Sequence, residues 1–155
     1  MKRDYPDRPI VGVGAVIVEH RAEQRSEERP DRPRAVLIRR VAAPMAGEWS
    51  VPGGVLEVGE SLRRGTEREA LEETGLVVIA GDVLDVFDAI YTDPGGRIQY
   101  HFVLIDFLCQ PVSGELRAGG DATEVRWITE ADLDVLPVTA SIAGVIRKGL
   151  RRVSS

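Results

Sequence analysis

The spacing of apolar residues changes period from one stretch of this chain to the next, and each change marks an element. "IVGVGAVIVE" (10–19) and "RAVLIRRV" (34–41) are β-branched, apolar and bounded by charged or proline-containing segments, which predicts two strands. Between them runs "HRAEQRSEERPDRP", a charged connector over residues 20–34 with too few apolar positions to pack. "EWSVPGG" reads as a third, short extended piece that passes through Pro52, Gly53 and Gly54 into a loop.

The period then shifts. In "SLRRGTEREALEETG", Leu62, Thr66, Glu69 or Ala70, and Glu73 recur at three-to-four spacing, Ser61 is placed as an N-cap and Gly75 as a stop, so a helix is predicted. "LVVIAGDVLDVFDAIYTD", "IQYHFVLIDFLC" and "EVRWIT" read as further strands, and the "DPGGR" turn joins the first two as antiparallel neighbours. The chain closes with a short helix, a break at Pro137, and an amphipathic helix carrying Ile142, Val145, Ile146 and Leu150 on one face. Strands, a central helix, more strands and a final helix predict an α/β layered architecture with a mixed sheet between helices.

Length fits a single domain over residues 1–155, with 43% hydrophobic residues to build its core. No stretch is apolar enough to span a bilayer, and "MKRDYPDRP" lacks the apolar segment of a signal peptide, which points to a cytoplasmic protein with no membrane partner. Cys109, the only cysteine, lies in the apolar run "FVLIDFLC" and is expected to be a buried strand residue. A net charge of -5 argues against stable nucleic-acid binding, which draws on clustered Lys and Arg.

Chemistry concentrates in the central helix. Glu69, Glu72 and Glu73 share one helical face, where like charges cost about 0.2–0.5 kcal/mol per pair. A solvated acidic face is the plain alternative, but Ala70 and Leu71 lie among the acids, Gly65 offers close packing, and a Pro-Gly-Gly loop lets carbonyls approach a ligand. Hard oxygens beside a glycine loop suit Mg²⁺, which bridges carboxylates to substrate phosphates and would offset the repulsion.

Residues 54–76 resemble the signature box of the Nudix hydrolases. Gly54, Glu60, Arg68-Glu69, Glu72-Glu73, Gly75 and Leu76 fall at the family's spacing, and Ala70 is the one departure, smaller than the usual aliphatic residue. The resemblance implies an α/β/α sandwich, a homodimer, and a Nudix pyrophosphohydrolase that uses Mg²⁺ or Mn²⁺. Its substrate would be a nucleoside diphosphate linked to another moiety, attacked by water at phosphorus.

By the same resemblance Glu69 and Glu73 are metal ligands, Glu72 shares the metal or positions water, and the carbonyl of Gly53 completes the shell. Arg68 holds the glutamates and Glu60 braces the loop and helix start. The general base is either a box glutamate or an acid from a distant loop, for which Asp121 in "AGGDATEVRW" is the candidate and Glu124 its rival.

Substrate choice lies outside the box. "RRVAAPMAGEWSVPGG" is similar to MutT-type triphosphate pyrophosphohydrolases, with Arg39 placed to touch phosphate or base, while the strand order after the box looks like bacterial ADP-ribose-type members. Pro94 falls near, but not at, the downstream proline associated with ADP-ribose pyrophosphatases, and Tyr91 near, but not at, the tyrosine position of the dinucleoside polyphosphate group. Gly54, Tyr91 and Arg97 are expected at the substrate, with Tyr100 and His101 as further pocket candidates. ADP-ribose or a related nucleotide sugar leads; a (d)NTP pyrophosphohydrolase and a catalytically silent nucleotide sensor are the alternatives.

Overall fold

The computed structural model describes residues 2–20, 32–42, 44 and 46–154; most of the charged connector, and any role for it as a lid, lies outside the described residues. Strand β1 (Ile10–Glu19) is the axis of a mixed sheet. Its β-branched run pairs in parallel with β6 (Ile98–Gly114), from Ile10 opposite Phe102 to Ile17 opposite Cys109.

The other edge of β1 is shared. Gly12–Gly14 pair antiparallel with β4 (Gly53–Val55), and only Val18 and Glu19 pair with β2 (Arg34–Arg40). The sheet therefore parts between β4 and β2, and the Pro52 carbonyl, which accepts from the Ala15 N–H at 2.7 Å, crosses the gap. Beyond β2 lie β3 (Trp49–Ser50) and β7 (Ala122–Ile128), both antiparallel to it.

Strand β5 (Leu76–Thr92) pairs with β6 as a long antiparallel hairpin. The predicted turn closes it: the Asp93 carboxylate accepts from the Gly95 and Arg97 N–H groups at 2.9 Å each. Pro94 is thus a turn residue, the conformation its fixed φ favours.

Helices cover both faces. Successive residues of a strand point to opposite sides, so Ala15, Ile17 and Val36 pack towards α1 (Leu62–Thr74), while Val16, Val18, Ala35 and Leu37 pack towards α2 (Ala140–Ser154). Burial on both faces explains why these strands read as continuous apolar runs rather than alternating ones. Cys109 is buried as expected, and burial pushes its thiol up to about 12, which leaves it unreactive.

The caps are as predicted. Ser61 Oγ accepts from the Arg64 N–H at 3.2 Å, and Gly75 ends α1 in the left-handed region at φ 76°, where a side chain would be strained. The expected short helix near the end is a 3₁₀ turn, Glu130–Asp134, in which Asp132 accepts from the Thr129 N–H. After Pro137, α2 buries Ile142, Val145, Ile146 and Leu150.

Candidate active site

Each turn of α1 delivers a different part of the site: Glu69 and Glu73 are turned inward beside β4, while Glu72 stays exposed. Arg68 is the hub. Its Nε and Nη2 donate to Glu60 at 2.6 and 2.9 Å in a two-pronged pair, Nη1 donates to Glu69 at 2.8 Å, and Nη2 also reaches the Val55 carbonyl at 3.3 Å. Glu72, one turn on, sits 3.4 Å from Nη1.

Such forked pairs fix both partners in direction as well as charge. The hydrogen bond from Arg68 holds Glu60 below the usual carboxylate range, and the two carboxylates in turn raise the guanidinium. Glu60 also accepts from the Glu57 N–H at 3.2 Å, so it bonds to both the loop and the helix.

Glu73 is the buried end of the cluster, at 2% exposure. Its Oε1 accepts from the Gly53 N–H at 2.7 Å, but Oε2 has no hydrogen-bond partner and lies 3.9 Å from Arg40 Nη1. Burial pushes Glu73 up to about 7, with Arg40 and the Gly53 N–H pulling the other way. Glu69, largely buried, is likewise raised by burial against the pull of Arg68.

Gly54 is required by contact. A Cβ there would stand 2.6 Å from the Glu69 carboxylate, so for the carboxylate to keep this place against β4 on the helix's approach the position must stay bare. Gly65 and Ala70 serve the same approach: a Cβ at Gly65 would meet Leu56 at 2.6 Å, and Ala70 is fully buried.

The donor chemistry fits a hard divalent cation: several carboxylates and a backbone carbonyl, one buried carboxylate oxygen lacking a donor. Among the described residues no three such side chains form a ready-made cage. The reason is visible, since Arg68 engages Glu69 and Glu72 while Gly53 engages Glu73. The Gly53 carbonyl faces Arg40, whose Nη1 and Nη2 lie at 3.5 and 3.4 Å.

Two concave regions meet here. A cleft of about 490 Å³ is lined by Glu69, Glu72, Glu73 and Asp121, and a cavity of about 380 Å³ opens beside it on the α2 side of the sheet. Arg3, Val55 and Asp121 line both, so the two are continuous.

The structure brings Asp121 to the acid cluster, close enough for its charge to raise Glu73, whereas Glu124 pairs with Arg39 at 3.7 Å on the exposed face of β7. Arg39 is turned away and donates to the Gly47 carbonyl at 3.0 Å; the arginine that lines the cavity and reaches Glu73 is its neighbour Arg40. Tyr91 and Gly54 line the cavity. Arg97 does not, because its guanidinium lies 4.5 Å over the Tyr5 ring near the hairpin tip. His101 and Tyr100 also stay outside it, Tyr100 stacking on Phe102.

Two residues of this region are absent from the sequence-derived candidates, Arg40 and Asp106. Arg40 gave no signal, because Ala35–Ile38 are all buried, so the apolar pattern does not say which side of β2 meets α1. Asp106 did give one: an acid inside "VLIDFLC" must be buried at considerable cost unless something pairs with it.

The NUDIX domain family model matches residues 11–149. A curated relative, the ADP-ribose pyrophosphatase of Methanocaldococcus jannaschii, is 37% identical over 68% of this chain and 58% of its own length. The chain spans about half to three fifths of the curated relatives it matches first. Among solved structures, the MutT NUDIX hydrolase of Burkholderia pseudomallei is 28% identical with a TM-score of 0.65, covering 92% of this chain and 98% of that one. The NUDIX domain of Shewanella oneidensis NrtR, solved with ADP ribose, has a TM-score of 0.70 at 19% identity, covering 96% and 90%, and so speaks to the fold alone.

Proposed function

The chain belongs to the NUDIX domain family, and from that premise we propose that it hydrolyses the diphosphate linkage of a nucleoside diphosphate joined to another moiety, with ADP-ribose or a related nucleotide sugar as substrate. The observation that carries this is the continuity of the acid-lined cleft with a mainly apolar cavity through Arg3, Val55 and Asp121. Such a pair of spaces suits a diphosphate beside the acids and a nucleoside in the cavity. The relative named ADP-ribose pyrophosphatase supports the choice of substrate.

Glu69, Glu72, Glu73, Asp121 and the Gly53 carbonyl would hold the divalent cation, Mg²⁺ or Mn²⁺. When bound, the cation supplies positive charge for the phosphate oxygens and lowers the pKa of water. Arg68 fixes Glu69 and Glu60 so that the acids keep their spacing as charge develops. Arg40, between cleft and cavity, is placed to hold the diphosphate and to temper the charge of Glu73. The apolar wall excludes competing water from the nucleoside side.

The test incubates wild type and Glu73→Gln with Mg²⁺ and ADP-ribose, nucleotide sugars, dinucleoside polyphosphates and dGTP, resolving products by chromatography. AMP and ribose 5-phosphate from ADP-ribose, absent with the variant, are expected. A nucleoside monophosphate and pyrophosphate from dGTP would move the protein to a MutT-like reaction. Nucleotide binding without turnover of any compound would make it a sensor.

A further inference from the structure

The cavity has one polar feature that the acid cluster does not explain. Asp106, on β6, lines its floor at 3% exposure amid Phe87, Phe102 and Leu104. Its carboxyl lies against Gly14, where a Cβ would stand 2.0 Å from Oδ1, so the glycine on β1 makes room for it. Among the described residues only two buried side-chain oxygens lack a hydrogen-bond partner, Glu73 Oε2 and Asp106 Oδ2.

Their situations differ. Glu73 faces the acid-lined cleft and has Arg40 at 3.9 Å, whereas the charged group opposite Asp106 in the sheet is another acid, Asp85. Burial together with Asp85 pushes Asp106 up to about 6. An apolar residue of this size would fill the site without leaving a polar oxygen unpaired, so the carboxyl weakens the fold, a cost that a hydrogen-bond donor entering the cavity would offset.

We propose that Asp106 determines base specificity by accepting a hydrogen bond from an N–H donor of the bound nucleobase, the exocyclic amine of adenine. Aromatic walls take the base faces and the carboxylate reads its edge, a combination in which a missing donor leaves a buried acceptor unpaired and is rejected strongly. This rests on the reading above that the cavity holds the nucleoside. Asp106 touches the base and not the reacting phosphorus, so it acts on substrate choice.

The experiment compares equilibrium binding of AMP and of purine riboside 5′-monophosphate, which lacks the amine, at pH 8, where the carboxyl is ionised. No turnover is needed. Wild type is expected to prefer AMP by at least about tenfold. Asp106→Leu should bring the ratio to near one, and Asp106→Asn, which keeps a weaker acceptor, should restore part of it; melting curves identify which variants fold, and Asn alone suffices if Leu does not.

A wild-type ratio near one overturns the proposal. So does a ratio that stays at the wild-type value in a folded variant, or an equal loss of affinity for both nucleotides, which marks a structural role. ADP-ribose hydrolysis assayed in parallel separates the two readings. Turnover with an unchanged ratio in the variants refutes the role of Asp106 alone, and selectivity that depends on Asp106 without turnover refutes the hydrolase alone.

Discussion

Helix α2 buries Ile142, Val145, Ile146 and Leu150 against one face of the sheet, whereas α1, across the same sheet, buries Gly65, Thr66, Ala70, Glu73 and Thr74 and leaves Leu71 half exposed. The first is an ordinary amphipathic helix, held by apolar area. The second is held by polar devices. Thr66 and Thr74 return their hydroxyls to Leu62 and Ala70 carbonyls, Arg68 gathers Glu60 and Glu69, and Ser61 and Gly75 cap the ends. The difference teaches that a helix can be kept in place for what it presents, at some cost to what it buries.

Mutation should separate the two helices by which property fails. Ile146→Ala, which empties a fully buried position on α2, is expected to cost about 2–5 kcal/mol in denaturant unfolding while the folded fraction keeps its specific activity. A loss of activity per folded molecule would show that α2 does more than pack.

Raising pH should weaken the metal-free protein on account of groups at the cleft and cavity. Glu73 is raised from 4.5 to about 7 and Asp106 from 3.8 to about 6, so the folded state binds protons more tightly than the unfolded one. Stability is therefore greatest below about pH 4 as far as these two groups are concerned, and falls through the window up to about pH 7. Glu73 alone accounts for on the order of 3 kcal/mol. Glu73→Gln should flatten the upper part of that decline and Asp106→Asn the lower part; melting temperatures from pH 4 to 8 that fall equally in wild type and both variants would contradict the burial argument.

Arg68→Ala should lower kcat/KM by about 10–100-fold, the usual cost of losing a group that orients metal-binding side chains. Glu60→Gln should reproduce part of that loss, since it acts through Arg68. Ser61→Ala, at the N-cap of α1, is expected to cost about 1 kcal/mol of stability with little change in activity. A cap removal that abolished activity would mean that α1 has no apolar reserve to hold its acids in register.

Much of the fold was legible because period and punctuation agree. Ser61 and Gly75 bracket α1, the "DPGGR" turn closes the β5–β6 hairpin, and Pro137 separates the 3₁₀ turn from α2. The glutamate cluster was legible for a similar reason, since i, i+3 and i+4 spacing is a local property of a helix. The cavity was less so. Arg40 rather than Arg39 faces the acids because it continues the Val36 side of β2, which only the packed fold shows to be the α1 side, and Arg97 is drawn to Tyr5 by a contact between residues far apart in the chain.

The sequence by itself determined which residues form helix and strand, and that three glutamates, an arginine and a glycine loop lie within one helix-and-loop unit. Tertiary structure alone decided their electrostatic states: Glu60 is lowered and Glu73 raised because one meets Arg68 and the other is sealed behind β4. It alone also placed Asp106 beside Gly14 at the floor of the cavity. Local periodicity is written in neighbouring residues, but burial and the charge that reaches a buried group are set by strands brought together across the whole chain.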